Sequence, residues 1–271
     1  TTSPDAASVP PAEAAPTPSM SSTPSAPAAP PAPAPGTAVP SPGLRDFDPA
    51  DGKGRAAIVS VGIVALIALV RGPWLLQRGA SGGAILESSP SLAGISSFYS
   101  FAIIGSIIAV IVWFKGAYDN AAPLGASSLR YMPGWAVGAW FIPVGNLFIP
   151  KQIADDLWRS SDPSLPADAG AHWKFRPVPG VLHLWWAAWL GRSVLTVASE
   201  VMASTAIEEG DLSSYRTAST IGGIGDLAMV VAGAMLIKII VDVTARQRER
   251  ARVLSEGSAA PAPAPQASPA E

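Results

Sequence analysis

The chain has no cysteine among its 271 residues. That excludes disulfides, thiolate metal sites and cysteine nucleophiles, and leaves the redox compartment open. Charge is scarce as well. Asp, Glu, Lys and Arg make up 14% of the chain, against about 25% in an ordinary soluble domain. A formal charge of −2 gives no hold on nucleic acid, so none is expected as a partner. His172 and His183 are the only histidines. Without thiolates a metal site would need carboxylates from distant segments, so neither a metal nor a cofactor is expected. No phosphate-cradling loop and no nucleophile elbow occurs. Gly222–Gly223–Ile224–Gly225–Asp226 is glycine-rich, but it lies inside an apolar run and follows no strand. No catalytic residue is assigned, and an enzyme is not expected. No basic segment leads into an apolar run at the N-terminus, so no signal peptide is expected.

What the chain does have is long apolar runs. Ala56–Val70 is the first, extendable through Trp74–Leu76 if Arg71 snorkels. Leu92–Phe114 is the second, flanked by Glu87 and Lys115. Val178–Met202 is the third, entered through Trp185, Trp186 and Trp189. Thr217–Val243 is the last and ends in Arg246, Arg248, Arg250 and Arg252. Residues 1–50 and 255–271 are Pro, Ala, Ser and Thr with almost no large apolar side chain. Such tails cannot offset the entropy of ordering and are expected to be disordered, proline-rich tethers. The expected organisation is therefore a 1–50 tail, a polytopic helical membrane domain over 51–254, and a 255–271 tail. Abundant Ala and Pro, with Arg in excess of Lys, fit a GC-rich bacterial genome.

The chain is organised around Gly134–Ser161, GWAVGAWFIPVGNLFIPKQIADDLWRSS. From Gly134 to Pro150 no residue is charged, and about 17 residues is the lower edge of a spanning helix. Pro143 in its middle removes one backbone hydrogen bond and clashes with the carbonyl of residue 139, so a helix should break or kink there. Asn146 could satisfy a freed backbone group. After Pro150, Ile153, Leu157 and Trp158 share one helical face, while Lys151, Asp155, Asp156 and Arg159 lie off it. That pattern suits a helix in the interface, with the two acids on a solvated face. Two readings stay open: a kinked crossing helix, or a broken re-entrant or in-plane segment.

The distribution of Lys and Arg bears on that choice, because cytoplasmic loops carry the excess. With four crossings, and 134–161 not crossing, thirteen of the eighteen Lys and Arg residues fall on one side and three on the other. If the stretch crosses as well, the best split is ten to six. The expectation is an all-α membrane protein with four transmembrane helices, a broken re-entrant or in-plane segment, and both termini cytoplasmic.

Three pieces of the sequence together carry a resemblance. They are Trp113–Ala126, WFKGAYDNAAPLGA; Gly134–Pro150, GWAVGAWFIPVGNLFIP; and Asp156–Ser160, DLWRS. Over roughly residues 56–250 the chain resembles the membrane-protein family catalogued as domain of unknown function 4328, common in actinobacteria. The motif residues that carry it are Trp113, Tyr118, Asn120, Gly125, Trp135, Trp140, Pro143, Asn146, Pro150 and Trp158. Ala139 stands where a tryptophan is frequent, and Phe148–Ile149 where Trp–Arg is. The resemblance implies a multi-pass protein of the bacterial cytoplasmic membrane and brings no activity with it.

Ionisable groups inside apolar spans are costly and tend to face protein or water. Arg192, Thr196 and Glu200 fall on one side of the third span. In the last span Ala218, Gly222, Asp226, Met229 and Gly233 form a narrow face of small residues, suited to close helix contact. Depth arithmetic places Arg192 and Asp226 near mid-membrane, so they are expected to pair, with Thr196 and Glu200 completing a candidate intramembrane polar site. Two functions remain. One is a non-enzymatic accessory or interaction subunit, partnered by the lipid bilayer and by another protein or by copies of itself. The alternative is a small oligomeric transporter or channel-like protein using the broken segment and Arg192/Asp226.

Overall fold

The computed structural model describes residues 42–81, 90–167 and 170–259, and the residues described belong to one compact unit. The tails expected at 1–50 and 255–271 lie, over 1–41 and 260–271, outside the described residues, as does Glu87. Pro42–Asp46 forms a 3-10 turn, and the last helix runs on to Ala259.

The architecture is all-helical among the described residues. The helices are α1 (Asp51–Ser81), α2 (Pro90–Asp119), α3 (Trp135–Gly138), α4 (Ile149–Ser160), α5 (Gly180–Glu209) and α6 (Leu212–Ala259). Three of them are long and apolar enough to cross a membrane: α1, the Ser97–Asp119 part of α2, and α6. The 30 residues of α5 have the length. Its Trp185, Trp186, Trp189, His183, Arg192 and Glu200 dilute its apolar character.

The central helix is α6, which packs along both α1 and α5. At 1.5 Å per residue, its 48 residues extend roughly 72 Å, more than twice a hydrocarbon core of ~30 Å. A two-residue link joins it to α5. Gly210 takes the left-handed conformation at φ 69° and ends α5. Asp211 caps α6, its Oδ1 accepting from the Ser213 and Ser214 amides at 2.8 and 3.3 Å. Hydrogen bonds from the Ser214 and Ser213 side chains, and then from those amides, hold the Asp211 carboxyl down to about 2.

The small-residue face of α6 is a contact face on both sides. A Cβ on Gly222 would lie 2.8 Å from Ser199 Oγ of α5, and one on Gly223 would lie 2.8 Å from the Gly72 carbonyl oxygen of α1. The helix backbones therefore touch at Gly72 and Gly223, where nothing larger than hydrogen fits.

The extension through Trp74–Leu76 is helical, α1 carrying Pro73 in its interior and running on to Ser81. Arg71 turns inward instead of snorkelling.

The start of α1, the end of α2, the start of α5 and the far end of α6 gather at one end of the bundle, beneath a cap built from residues 119–176. The joints are specific. Asn120 Nδ2 donates to the Asp48 carbonyl at 2.8 Å and to Gln247 Oε1 at 3.2 Å, and its Oδ1 accepts from the Asp48 amide at 3.1 Å. Trp113 Nε1 donates to Thr244 Oγ1 at 3.3 Å. Trp186 Nε1 donates to the Leu147 carbonyl at 3.2 Å. Stretch 134–161 thus begins and ends at the same end of the bundle.

Candidate functional site

Two polar centres and an aromatic layer between them hold the motif residues. The first centre lies among the long helices. Arg71 of α1 donates from Nε to Asp226 Oδ2 at 2.7 Å and from Nη2 to Oδ1 at 3.0 Å. Tyr99 of α2 donates its hydroxyl to the same Oδ1 at 3.3 Å, and the Arg71 guanidinium lies 4.4 Å over its ring. The Asp226 side chain is 3% exposed. Arg192 of α5 approaches the Tyr99 hydroxyl, while its Nε is buried without a partner. All four long helices therefore contribute one residue each.

This corrects the expected Arg192–Asp226 pair. Asp226 is held by Arg71, because the α1–α6 contact at Gly72 and Gly223 brings α1 closer to that face of α6 than α5 comes. Thr196 packs near Gly225, and Glu200 is exposed. Neither touches the carboxylate. Arg71 and Tyr99 were missed in the sequence. An arginine one residue before a Gly–Pro edge reads as an interfacial anchor, and a lone tyrosine in an apolar run gives no signal.

The aromatic layer comes next. Trp140 sits edge-on between Phe114, at 5.7 Å between centroids, and Trp189, at 6.1 Å. Trp186 and Trp189 stack at 5.0 Å. The loop that carries Trp140 is interrupted where the proline requires. Ile142 is extended at φ −98°, ψ 114°, as a residue before proline must be, and the helical path resumes only at a 3-10 turn over Gly145–Leu147. Pro150 then opens α4 in its first turn. Asn146 does not rescue a backbone group with its side-chain oxygen, since Oδ1 is buried and unpartnered. Pro143 is exposed, along with Phe141, Val144, Leu147 and Phe148.

The second centre is the cap. Asp156 was expected on a solvated face, and here the structure overturns the reading: its side chain is fully buried. The reason is that α4 is covered on two sides. Ile153 and Leu157 face the bundle core, while residues 130–131 close over the opposite side. Arg130 donates to Gln152 Oε1 at 3.0 Å, and the Tyr131 hydroxyl donates to the same oxygen at 2.6 Å. Arg130 and Arg159 lie 3.5 and 3.8 Å from Asp156 Oδ1, yet neither carboxylate oxygen has a hydrogen bond. Burial pushes the carboxyl up to about 6, with the two guanidiniums pulling it partly back and Asp155 pushing further up.

Around Asp156 the remaining motif residues make packing contacts and hydrogen bonds. Tyr118 is buried and donates its hydroxyl to the Tyr131 carbonyl at 3.1 Å. Trp135 packs on Tyr131 at 6.3 Å. Trp158 lies under Arg246, 4.4 Å from the guanidinium carbon. Gly125 has φ 90°, and a Cβ there would lie 3.2 Å from Nη2 of Arg250. Arg250 is fully buried and donates to four carbonyls: Leu124 and Leu165 at 2.7 Å each, Pro166 at 3.1 Å and Asp162 at 3.4 Å. It was read in the sequence only as one of four basic residues at a membrane edge. Both His172 and His183 are exposed.

Trp113, Asn120, Gly125, the proline-broken tryptophan segment and the Asp156–Ser160 end of α4 all lie within the span of a family model. Residues 79–245 match the family described as Domain of unknown function (DUF4328). The chain belongs to that family. No curated protein and no solved structure matches it. The part matched to DUF4328 contains α2, the cap, α5 and most of α6.

Proposed function

We propose that this DUF4328 protein is an integral, multi-pass protein of a bacterial cytoplasmic membrane that acts as a non-enzymatic accessory or interaction subunit. Four helices cross, with both termini cytoplasmic. In support, α6 turns back along α5 after a two-residue link, so α5 crosses wherever α6 does. The outward residues of α5, Leu184, Val194, Val197 and Val201, are all more than 60% exposed and apolar. The 139–148 loop leaves and rejoins the same end of the bundle with an uncharged, exposed apolar tip, which supports a re-entrant segment rather than a fifth crossing.

One observation carries the choice between subunit and transporter. Both Asp226 oxygens are engaged by Arg71 and Tyr99 where four helices meet, with the Asp226 side chain 3% exposed. A transport path needs its charged group free to change partners. This one is a clamp, so the elaborated end of the molecule is the cap, on the side that carries the positive excess.

The test is a pull-down of the full chain in mild detergent, with reporter fusions after Leu254 and within 205–215. A reproducible protein partner lost when the cap is altered, and a cytoplasmic C-terminal reporter, are expected. Ion or solute flux in vesicles holding the pure protein would overturn the subunit reading. An external C-terminal reporter would overturn the orientation.

A further inference from the structure

The polar centre among the long helices does not balance its charges. Arg71 and Arg192 bring two guanidiniums to it, and Asp226 brings the one carboxylate. Both oxygens of that carboxylate are taken, by the Arg71 fork and by the Tyr99 hydroxyl. Arg192 is left with the neutral Tyr99 hydroxyl as its neighbour, and its Nε is buried without a partner. Among the described residues Arg192 forms no ion pair. It stands twelve residues into α5, about 18 Å along the helix and near the middle of a ~30 Å hydrocarbon core. A cation at that depth is costly, and such groups pair with an opposite charge or face water.

The chain is partly open at this point. Arg192 is half-buried. A shallow groove of about 800 Å³ starts at Ser193, the next residue, and follows the outward face of α5 past Val197, Ala198 and Val201 to Glu209. Its walls are apolar or hydroxyl-bearing except at Glu209, the end far from Arg192. Whatever covers this face at mid-depth must bring the missing negative charge. A lipid phosphate stays at the interface, about 15 Å away. A second copy in the same membrane has the same orientation, so it sets arginine against arginine at this level. Its Asp226 is already taken, and its Glu200 lies eight residues or about 12 Å further along α5.

We propose that the groove of α5 receives a transmembrane helix of a different membrane protein, one that carries a single aspartate or glutamate level with Arg192. The incoming carboxylate accepts from the Arg192 guanidinium, Tyr99 and Arg71 stay on Asp226, and the centre then holds two cations and two anions. This deepens the reading of the chain as an interaction subunit and rests on it. That reading puts a partner at the cap; this contact lies inside the membrane.

The experiment uses the full chain in lipid vesicles, with an acceptor dye on Glu208→Cys, a unique thiol in a chain without cysteine. The probe is a donor-labelled Leu/Ala peptide of about 21 residues, long enough to span, with one central glutamate. Energy transfer should show association at least about tenfold stronger than for the same peptide with a central glutamine. Moving the glutamate two helical turns towards either end should remove the preference. Arg192→Gln should remove it, and Arg192→Lys should keep most of it. If the Arg192 variants fail to fold, the depth series on the parent protein decides alone. Equal binding of the glutamate and glutamine peptides, or a preference that ignores depth, overturns the proposal. So does a preference that survives Arg192→Gln. Energy transfer between differently labelled copies of the chain that the glutamate peptide fails to displace puts a second copy in the groove, and overturns it too. In each of these cases a cap-dependent partner in the pull-down leaves the subunit reading standing, whereas flux through the pure protein overturns both.

Discussion

The sharpest test of the cap is Asp156→Asn. The carboxyl is fully buried, and burial raises it from 3.8 to about 6. The folded state therefore binds the Asp156 proton more tightly than the unfolded chain does. Below pH ~4 both states hold it and there is no penalty. Between pH ~4 and ~6 only the folded state holds it, and stability falls as pH rises. Above pH ~6 the full cost of a charged, hydrogen-bond-free carboxylate is present. A shift of roughly two units at 1.36 kcal/mol each comes to about 3 kcal/mol. Asparagine cannot ionise and keeps the shape. At pH 7.5 the variant should be more stable than the parent by about 1–3 kcal/mol, the arginines' attraction being already contained in the shift and the lower figure allowing for the buried amide's own unmet hydrogen bonds. For a folded region of this size, that is a rise in Tm of about 2–12 °C. At pH 4.5 most of the difference should vanish. The assay is thermal unfolding in mild detergent, followed by circular dichroism from pH 4 to 8 for both proteins. A variant less stable than the parent at pH 7.5 would refute the reasoning, because the two arginines would then outweigh desolvation. So would a parent whose Tm is flat from pH 4 to 6.

Two further outcomes concern the buried arginines. Asp226→Asn strands the Arg71 guanidinium and should cost about 3–5 kcal/mol; the Arg71→Asp/Asp226→Arg swap should regain part of that in membrane abundance, whereas Arg192→Asp/Asp226→Arg should regain none, and equal recovery by both swaps would contradict the pairing. Arg250→Lys keeps the charge but cannot reach four carbonyls in a fork, so a loss of about 2–4 kcal/mol by the same unfolding assay is expected; a neutral effect would mean that water satisfies the Leu124 and Leu165 carbonyls.

Much of the fold could be read in advance, for local reasons. Apolar runs announce long helices, and Pro143 announces its break because the clash lies within one turn. Small residues at Gly222 and Gly233 announce close packing. What stayed hidden depends on direction around a helix axis. Depth arithmetic put Arg192 level with Asp226 but could not say which face of α6 looks at α5 and which at α1. That is decided by Gly72 meeting Gly223, a contact between residues with no side chains to signal it. Asp156 was misplaced for a related reason. Its α4 neighbours give a clean amphipathic pattern, and only the return of Arg130 and Tyr131, twenty-odd residues upstream, converts the outer face into an interior one.

The helix α6 acts as a ruler. Asp226 is pinned by Arg71 near one end, and Arg250 by four carbonyls near the other, 24 residues apart or roughly 36 Å. Between the two anchors the rod contains no proline and one glycine, Gly233, which is packed against Ala65 and Val61 of α1, so it has little room to absorb an error. A single residue inserted there would advance the Arg250 end by about 1.5 Å and turn it by about 100° against the Asp226 end. One of the two anchorages would then have to let go. The distance and the angle between the bundle interior and the cap are therefore set by counting residues, and an added loop residue should cost far less than one extra residue in this helix.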